Sequence, residues 1–323
     1  MTSHPRAIFS RVIAALLVAV LARAAGTVLV AEPAPSSQDP TSCLQLVRAA
    51  VANEVAAAHN DSKHMFRSRK QTPQGSQTRL YVETREAMAG MTISYNDTPL
   101  SSEQMDGEQN RLAGLLSNPQ QLSRKHAQEQ ATADRTLRIL KAFPDAFLYD
   151  FDGKESGSGD LGKNGTQLVR LKFQPNPSYQ PPSHVEQVLT GMHGVLVIDP
   201  EARRIARIDG TLFREVSFGW GILGHLDSGG RFLVEQQDVG NGCWELSRMT
   251  LAFTGRILIF KSLSINSDEI FSDFRSVPPD TTFAQGVQML KVEEAKLAQN
   301  RSLETMKTET IKTETGKTES QSH

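Results

Sequence analysis

Cysteine is nearly absent from this chain, which has two in 323 residues, Cys43 and Cys243. That excludes a disulfide-stapled scaffold and any zinc site built on paired Cys-x-x-Cys motifs. Aromatic residues are also scarce, at 6%. Neither sign of charge dominates: the formal net charge is -1. A nucleic-acid binder would usually carry a clear basic excess, so none is expected as a partner. No HExxH, no paired CxxC and no G-x-S-x-G occurs, and no catalytic residue, metal or cofactor is expected. After the first thirty residues no segment is long and apolar enough to span a bilayer. What is present is a chain with ample material for a core.

The first thirty residues differ from the rest. Arg6 and Arg11 precede the apolar run Val12 to Leu21, followed by Ala22, Ala24, Ala25 and Gly26. A basic head, a short apolar stretch and small-x-small residues form the layout of a secretory signal peptide. The expectation is a signal over 1–24, cleaved between 24 and 31, and a periplasmic or secreted protein. Membrane association follows only if the segment is retained; Arg23 makes a spanning helix costly. In an oxidising compartment Cys43 and Cys243 offer a disulfide, which would stabilise by about 4 to 5 kcal/mol in the loop-entropy model. Two separately packed thiols are the alternative.

Residues 25–41 read as a linker, ending in the Pro- and Ser-rich stretch 32–41. Thr41 or Ser42 then caps a helix from about Cys43 to His59, with Leu44, Val47, Val51 and Val55 along one face. Leu80, Val82 and Thr84 alternate with Tyr81, Glu83 and Arg85 as a strand, and Met91 to Tyr95 forms another. Ser101 with Gln104 makes a capping box for a helix over about 102–116. Asn118-Pro119 starts a second, to about Ala142, docked only at its far end. These two form a helical insert at about 101–142. From Phe143 the chain turns to β. Strands are expected over 168–173, 194–198, 203–216, 222–227, 231–238, 244–253 and 256–265, with a short helix near Val185 to Thr190. Turn residues at 199–200, 227–230, 240–242 and 254–255 keep the connections short, so the strands form an antiparallel meander. A single β-rich domain over 42–290 is the expected unit. Lys307-Thr-Glu-Thr, Lys312-Thr-Glu-Thr and Lys317-Thr-Glu-Ser mark 291–323 as a tail too polar to offset its ordering entropy, hence disordered.

Four places carry candidate chemistry. Gly157 to Asn164 nearly spells a phosphate loop, but Asn164 stands where Ser or Thr would hold magnesium and a strand follows; a flexible hairpin tip is expected. His225 and Asp227 share one strand face and, with His193 or Asp199, could form a metal or acid-base pair. Polar residues beside a Gly-rich turn usually just finish the strand, which is the expected reading. Ser217 to Gly224 places Phe218, Trp220, Ile222 and Leu223 among glycines, which suggests a ligand-facing lip or a sheet corner. Strands 194–198 and 257–265 carry apolar residues on both faces, so helices, a second sheet or a ligand must cover both.

Gly194-Val-Leu-Val-Ile-Asp-Pro200 followed by Arg204-Ile-Ala-Arg-Ile-Asp-Gly210 resembles the strand-turn-strand of periplasmic lipoprotein carriers of the LolA and RseB type. The order of signal peptide, helix, strands, helical insert and long meander is also similar. The chain looks like exported proteins of soil bacteria as well, which adds no mechanism. The resemblance implies an α+β fold, with a large curved antiparallel sheet (an incomplete barrel) covered by helices, and an apolar cavity for acyl chains. The expected function is therefore a non-catalytic binding protein for a lipid or lipoprotein. The alternatives are an exported hydrolase using His225 and Asp227, and a structural or protein-interaction module of the envelope.

Overall fold

The computed structural model describes residues 40–60, 62–218, 224–257 and 261–319; side chains are described for 41–60, 62–217, 224–256 and 261–303. The first helix, α1, spans Pro40–Ala57. It starts three residues before the expected position because proline suits a first helical turn, whose N–H groups have no helical partner. A first meander follows: β1 (Lys63–Thr72), β2 (Gly75–Val82), β3 (Ala89–Tyr95) and the two-residue β4 (Thr98–Pro99). Helices α2 (Ser102–Ser117) and α3 (Pro119–Ala146) form the expected insert. The capping box is present: Gln104 N donates to Ser101 Oγ, and Ser101 N donates to Gln104 Oε1. Asn118 caps α3 by accepting from Gln121 N at 3.0 Å.

A second meander contains β5 (Phe147–Ser156), β6 (Gln167–Pro175), β7 (Met192–Asp199) and β8 (Arg204–Leu212). Between β6 and β7 lie the short helix α4 (His184–Gln187) and a 3-10 turn over Val188–Gly191. A small hairpin of β9 (Val216–Phe218) and β10 (Gly224–Leu226) precedes β11 (Arg231–Asp238), β12 (Trp244–Ile257) and β13 (Lys261–Val277). Helix α5 (Phe283–Glu319) closes the described chain.

All named strands join one antiparallel sheet in the order β4-β3-β2-β1-β13-β12-β11-β8-β7-β6-β5, with β10 on β12 and β9 on β10. Its end strands, β4 and β5, do not meet. The fold is therefore α+β, with a large sheet that is open rather than closed into a barrel. The two meanders are joined by the β1–β13 ladder, from Lys63 opposite Val277 to Gln71 opposite Asp268.

Strand alternation sends neighbouring side chains to opposite faces. Phe66, Tyr81, Leu196, Ile198 and Phe253 belong to the main apolar cluster, which α1 and α3 cover with Val47, Ala50, Ile139, Leu140 and Phe143. Their neighbours Met65, Leu80 and Val82 point the other way, into a second cluster closed by Leu112 and Leu115 of α2 and Phe283, Val287 and Leu290 of α5. Val197 joins Leu161, Leu168, Ala206 and Trp244 in a third. Both faces are thus covered, as the strand composition required, but the third cover is a loop. The 157–166 segment is no loose hairpin tip: Leu161 is buried, Gly162 N donates to Gln236 O, and Asp238 N donates to Gly162 O.

Other expectations need correction. The turn expected at Thr254-Gly255 is the interior of β12, and β13 continues twelve residues past its expected end at Ile265 to Val277. Gly255 is required there by close approach, since a Cβ would sit 2.2 Å from His225 O. Helix α3 runs four residues past Ala142, carrying Pro144 inside its last turn. It is also held at more than its far end, because Leu122 packs on the second cluster and Glu129 accepts from Met88 N at 3.0 Å. The tail expected to be disordered begins within α5. Leu297 packs against the second cluster, Leu303 is half exposed, and helical backbone continues to Glu319. A packed start removes the nucleation cost, and Lys and Glu are good helix formers.

The α2 attachment predicts an acid-sensitive contact. Arg111 donates to both oxygens of Glu108 at 2.8 Å, and Thr92 N donates to Glu108 Oε1 at 2.6 Å. Burial pushes this carboxyl up, but the Arg111 and Thr92 hydrogen bonds outweigh it and hold Glu108 below its ordinary value. A depressed folded value gives stability that is present above the unfolded value, about 4.3, and lost as pH falls through the folded one. Glu108→Gln is therefore expected to lose about 1 to 2 kcal/mol at pH 7. Urea unfolding should show that difference shrinking steadily as the pH falls below about 4.

Candidate functional site

The expected lip is only partly visible. Phe218 ends β9, while Trp220, Ile222 and Leu223 lie outside the described residues, as does the side chain of Phe218. Around the lip the geometry is clear. Gly224 pairs with Phe218 and also with Ile257, so the β9–β10 hairpin hangs on the end of β12. Val216 and Leu226 point from it into the main cluster.

The same hairpin carries the residues of the hydrolase alternative. His225 Nε2 lies 3.2 Å from Asp227 Oδ1, so spacing and strand alternation brought this pair together as expected. Their third partner is different. Glu215, rather than His193 or Asp199, lies with them, and the three ligand atoms fall within 4.8 Å of one another. His193 faces Phe213, with ring centroids 5.4 Å apart. Asp199 is buried and accepts from Glu201 N, Ala202 N and Thr166 Oγ1, which makes it the organiser of its own turn. Ser217 stands opposite His225, but its hydroxyl donates to Glu215 at 2.8 Å. A Ser–His–Asp relay needs that proton directed at the imidazole. Among the described residues this place therefore shows a partly exposed polar group of three, with the Ser217 hydroxyl directed at Glu215 rather than at the imidazole.

The two cysteines are separate thiols, so the disulfide is not formed. Cys43 packs in the main cluster through α1; Cys243 is half-buried and lies 3.6 Å from Ser62 Oγ.

A second polar group was not foreseen. His64 of β1, Glu83 just after β2 and Glu245 of β12 converge with ligand atoms within 4.8 Å, all three buried. His64 Nδ1 is 3.0 Å from Glu245 Oε1 and 3.9 Å from Glu83 Oε2. His64 N donates to Glu83 Oε2 at 2.8 Å, and Glu83 N donates to His64 O at 2.9 Å. They meet where the sheet divides. The β12–β13 ladder stops at Arg248 opposite Ile270, whereas β13 runs on beside β1 to Val277. Between Met65 and Arg67 the β1–β13 register slips, and Asp273 there takes a φ of 59°. Trp244 to Leu246 pair with β11, beyond the end of the described β12–β13 ladder. Sequence reasoning missed the site because β1 was not recognised. With His64, Met65 and Phe66 buried in succession, the strand lacks the period-2 alternation that marks a half-exposed strand.

The polar clamp of the main layer is also now visible. Glu54 of α1 accepts from Arg204 Nε at 2.8 Å, from Arg204 Nη2 at 3.0 Å and from Ile205 N at 2.9 Å. The Arg204 guanidinium lies 5.5 Å from the Trp244 ring centroid. This clamp holds α1 on β8, one wall of the apolar layer.

Among the described residues no helix is long and apolar enough to cross a membrane. No family model and no curated protein matches the chain. Among solved structures the chain is similar to a DUF1329 family protein from Desulfovibrio piger. The match has 10% identity, covers 74% of this chain and 93% of that one, and has a TM-score of 0.25.

Proposed function

We propose that the protein is a non-catalytic binding protein that shelters an apolar ligand, a lipid or a lipoprotein acyl chain, between its sheet and the helices α1 and α3. The observation that supports this reading is the layer itself. One continuous apolar cluster runs from Phe66 and Tyr81 through Phe253 and Leu251 to Leu196 and Phe173, with helices forming its other wall. Apolar layers of that extent, bounded by a sheet on one side and separately anchored helices on the other, suit a long acyl chain by burying its methylenes at about 0.8 kcal/mol each. An acyl chain enters such a layer by parting α1 from β8, against the Glu54–Arg204 clamp. The resemblance of the 194–210 strand pair to LolA-type carriers is in keeping with this, as is a LolA-like open sheet. Export to the periplasm or beyond belongs to the same proposal and rests on the basic-apolar-small layout of the first thirty residues. So does a single domain over 42–290.

The test is direct. Mature protein is purified, its co-extracted lipid identified by mass spectrometry, and a fluorescent fatty acid titrated and displaced. Saturable binding with about one site per chain is the expected result. No lipid and no displaceable probe sinks the carrier reading.

A further inference from the structure

We propose that Glu215, His225 and Asp227 form a surface site for one divalent transition-metal ion of the zinc class. The site is independent of the acyl-chain reading.

Its geometry follows from the β9–β10 hairpin. His225 stands opposite Ser217 and Leu226 opposite Val216, so the same register, carried one place past each strand, sets Asp227 opposite Glu215. Val216 and Leu226 point into the main cluster. Alternation therefore sends Glu215, Ser217, His225 and Asp227 to the outer face. Two carboxylates thus meet across the open end of a hairpin only three pairs long. Like charges directly opposite each other destabilise a pair of strands, and a cation held between them turns that repulsion into a bridge. Arg256 of β12 stands opposite His225 on the same side and is exposed. Its single charge offsets only one of the two carboxylates.

The donor positions suit an ion. His225 Nε2 and Asp227 Oδ1 are 3.2 Å apart, and the three ligand atoms fall within 4.8 Å of one another. Donors about 2.0 to 2.2 Å from a tetrahedral zinc ion lie about 3.3 to 3.6 Å from each other. The His225–Asp227 spacing is already near that value, and the exposed Glu215 carboxylate closes the remainder by rotating its side chain. Ser217 Oγ donates to Glu215 Oε1 at 2.8 Å, which steadies the carboxylate from behind, as metal ligands require of their surroundings. The backbone beneath is fixed: β10 is laddered to both β9 and β12, and Asp227 N donates to Thr254 O at 3.0 Å.

The donor set selects the ion. Calcium and magnesium take all-oxygen sites, whereas imidazole with carboxylates suits zinc and its neighbours. Side-chain exposures of 26% for His225 and 43% for Asp227 leave the site open to solvent. With three protein ligands the fourth position faces water, the arrangement of zinc sites that take a further ligand rather than of closed structural ones.

The full chain, purified without a histidine tag, is stripped with a chelator and titrated calorimetrically with Zn2+ alone. Micromolar binding of one ion per chain is expected. Zn2+ should also slow amide exchange in the β9–β10 ladder, because a ligand that binds only the closed form stabilises it. His225→Ala and Asp227→Asn, both at partly exposed positions, are expected to weaken binding at least about 10-fold and to remove the slowing. His193→Ala, whose imidazole faces Phe213, is expected to change neither. No binding by the wild-type protein at micromolar Zn2+ overturns the proposal, as does binding kept in His225→Ala or lost in His193→Ala. Zinc-edge X-ray absorption of the wild-type protein needs no variant. One imidazole with oxygen donors supports the site; two imidazoles or a sulfur overturns it.

Discussion

Glu54→Ala is expected to lower the unfolding free energy by about 3 to 5 kcal/mol, among the largest single losses available in this chain. The reason is asymmetry. The Glu54 side chain is 2% exposed and that of Arg204 8%, so removing the carboxylate leaves a buried guanidinium without its anion, facing the Trp244 ring. The Ile205 N–H loses its acceptor as well. Unfolding in urea at pH 7 measures the loss, and a value under about 1 kcal/mol shows that the clamp does not hold α1. The double variant Glu54→Leu, Arg204→Met separates charge from contact. Replacing a whole buried pair by apolar side chains is often neutral, so most of the loss should return. In the double variant α1 stays on β8 without its polar lock. If α1 is the wall that parts for an acyl chain, the double variant also binds the fluorescent fatty acid faster than wild type. This second readout tests the carrier reading separately from stability.

Phe143→Ala should cost about 3 to 5 kcal/mol, the usual range for emptying a large aromatic site in a packed interior. Phe143 sits in the last turns of α3, its ring 5.3 Å from Phe147 and 6.4 Å from Phe173. It thereby joins the end of the helical insert to the start of the second meander. Tyr149 reinforces the same corner, donating its hydroxyl to Phe143 O at 2.7 Å, and burial pushes that phenol well above its ordinary pKa. Leu116→Ala is the matched control, since Leu116 is exposed on α2 and should change stability by no more than about 0.5 kcal/mol. Comparable losses for the two variants, read from urea midpoints, would show that the insert is not anchored through Phe143.

Much of the architecture was written in short-range chemistry. Caps at Ser101 and Asn118 act within one helical turn, so the starts of α2 and α3 could be read to the residue. Closely spaced turn signals in the second half required antiparallel neighbours, because parallel pairing needs crossovers that this segment has no length for. His225 and Asp227 were legible as a pair because two positions along one strand share a face. Each of these depends on residues a few places apart.

The tertiary structure decided what depends on distant partners. The ladder between β1 and β13 joins residues some two hundred positions apart, and nothing in either segment names the other. Pairing across such a distance is settled by the burial of both faces of β1, and that burial hides the alternation by which a strand is recognised. The buried polar group of His64, Glu83 and Glu245 is of the same kind, since its members lie some twenty to two hundred positions apart and meet near the slip of β1 on β13. The near phosphate loop was reassigned in the same way, since Gly162 finds its hydrogen-bond partners on β11 and Leu161 its burial beneath Trp244. Caps, turns and face patterns are local free energies, and the sequence alone carries them. Register between far strands and the convergence of buried charge are settled only when the whole core closes.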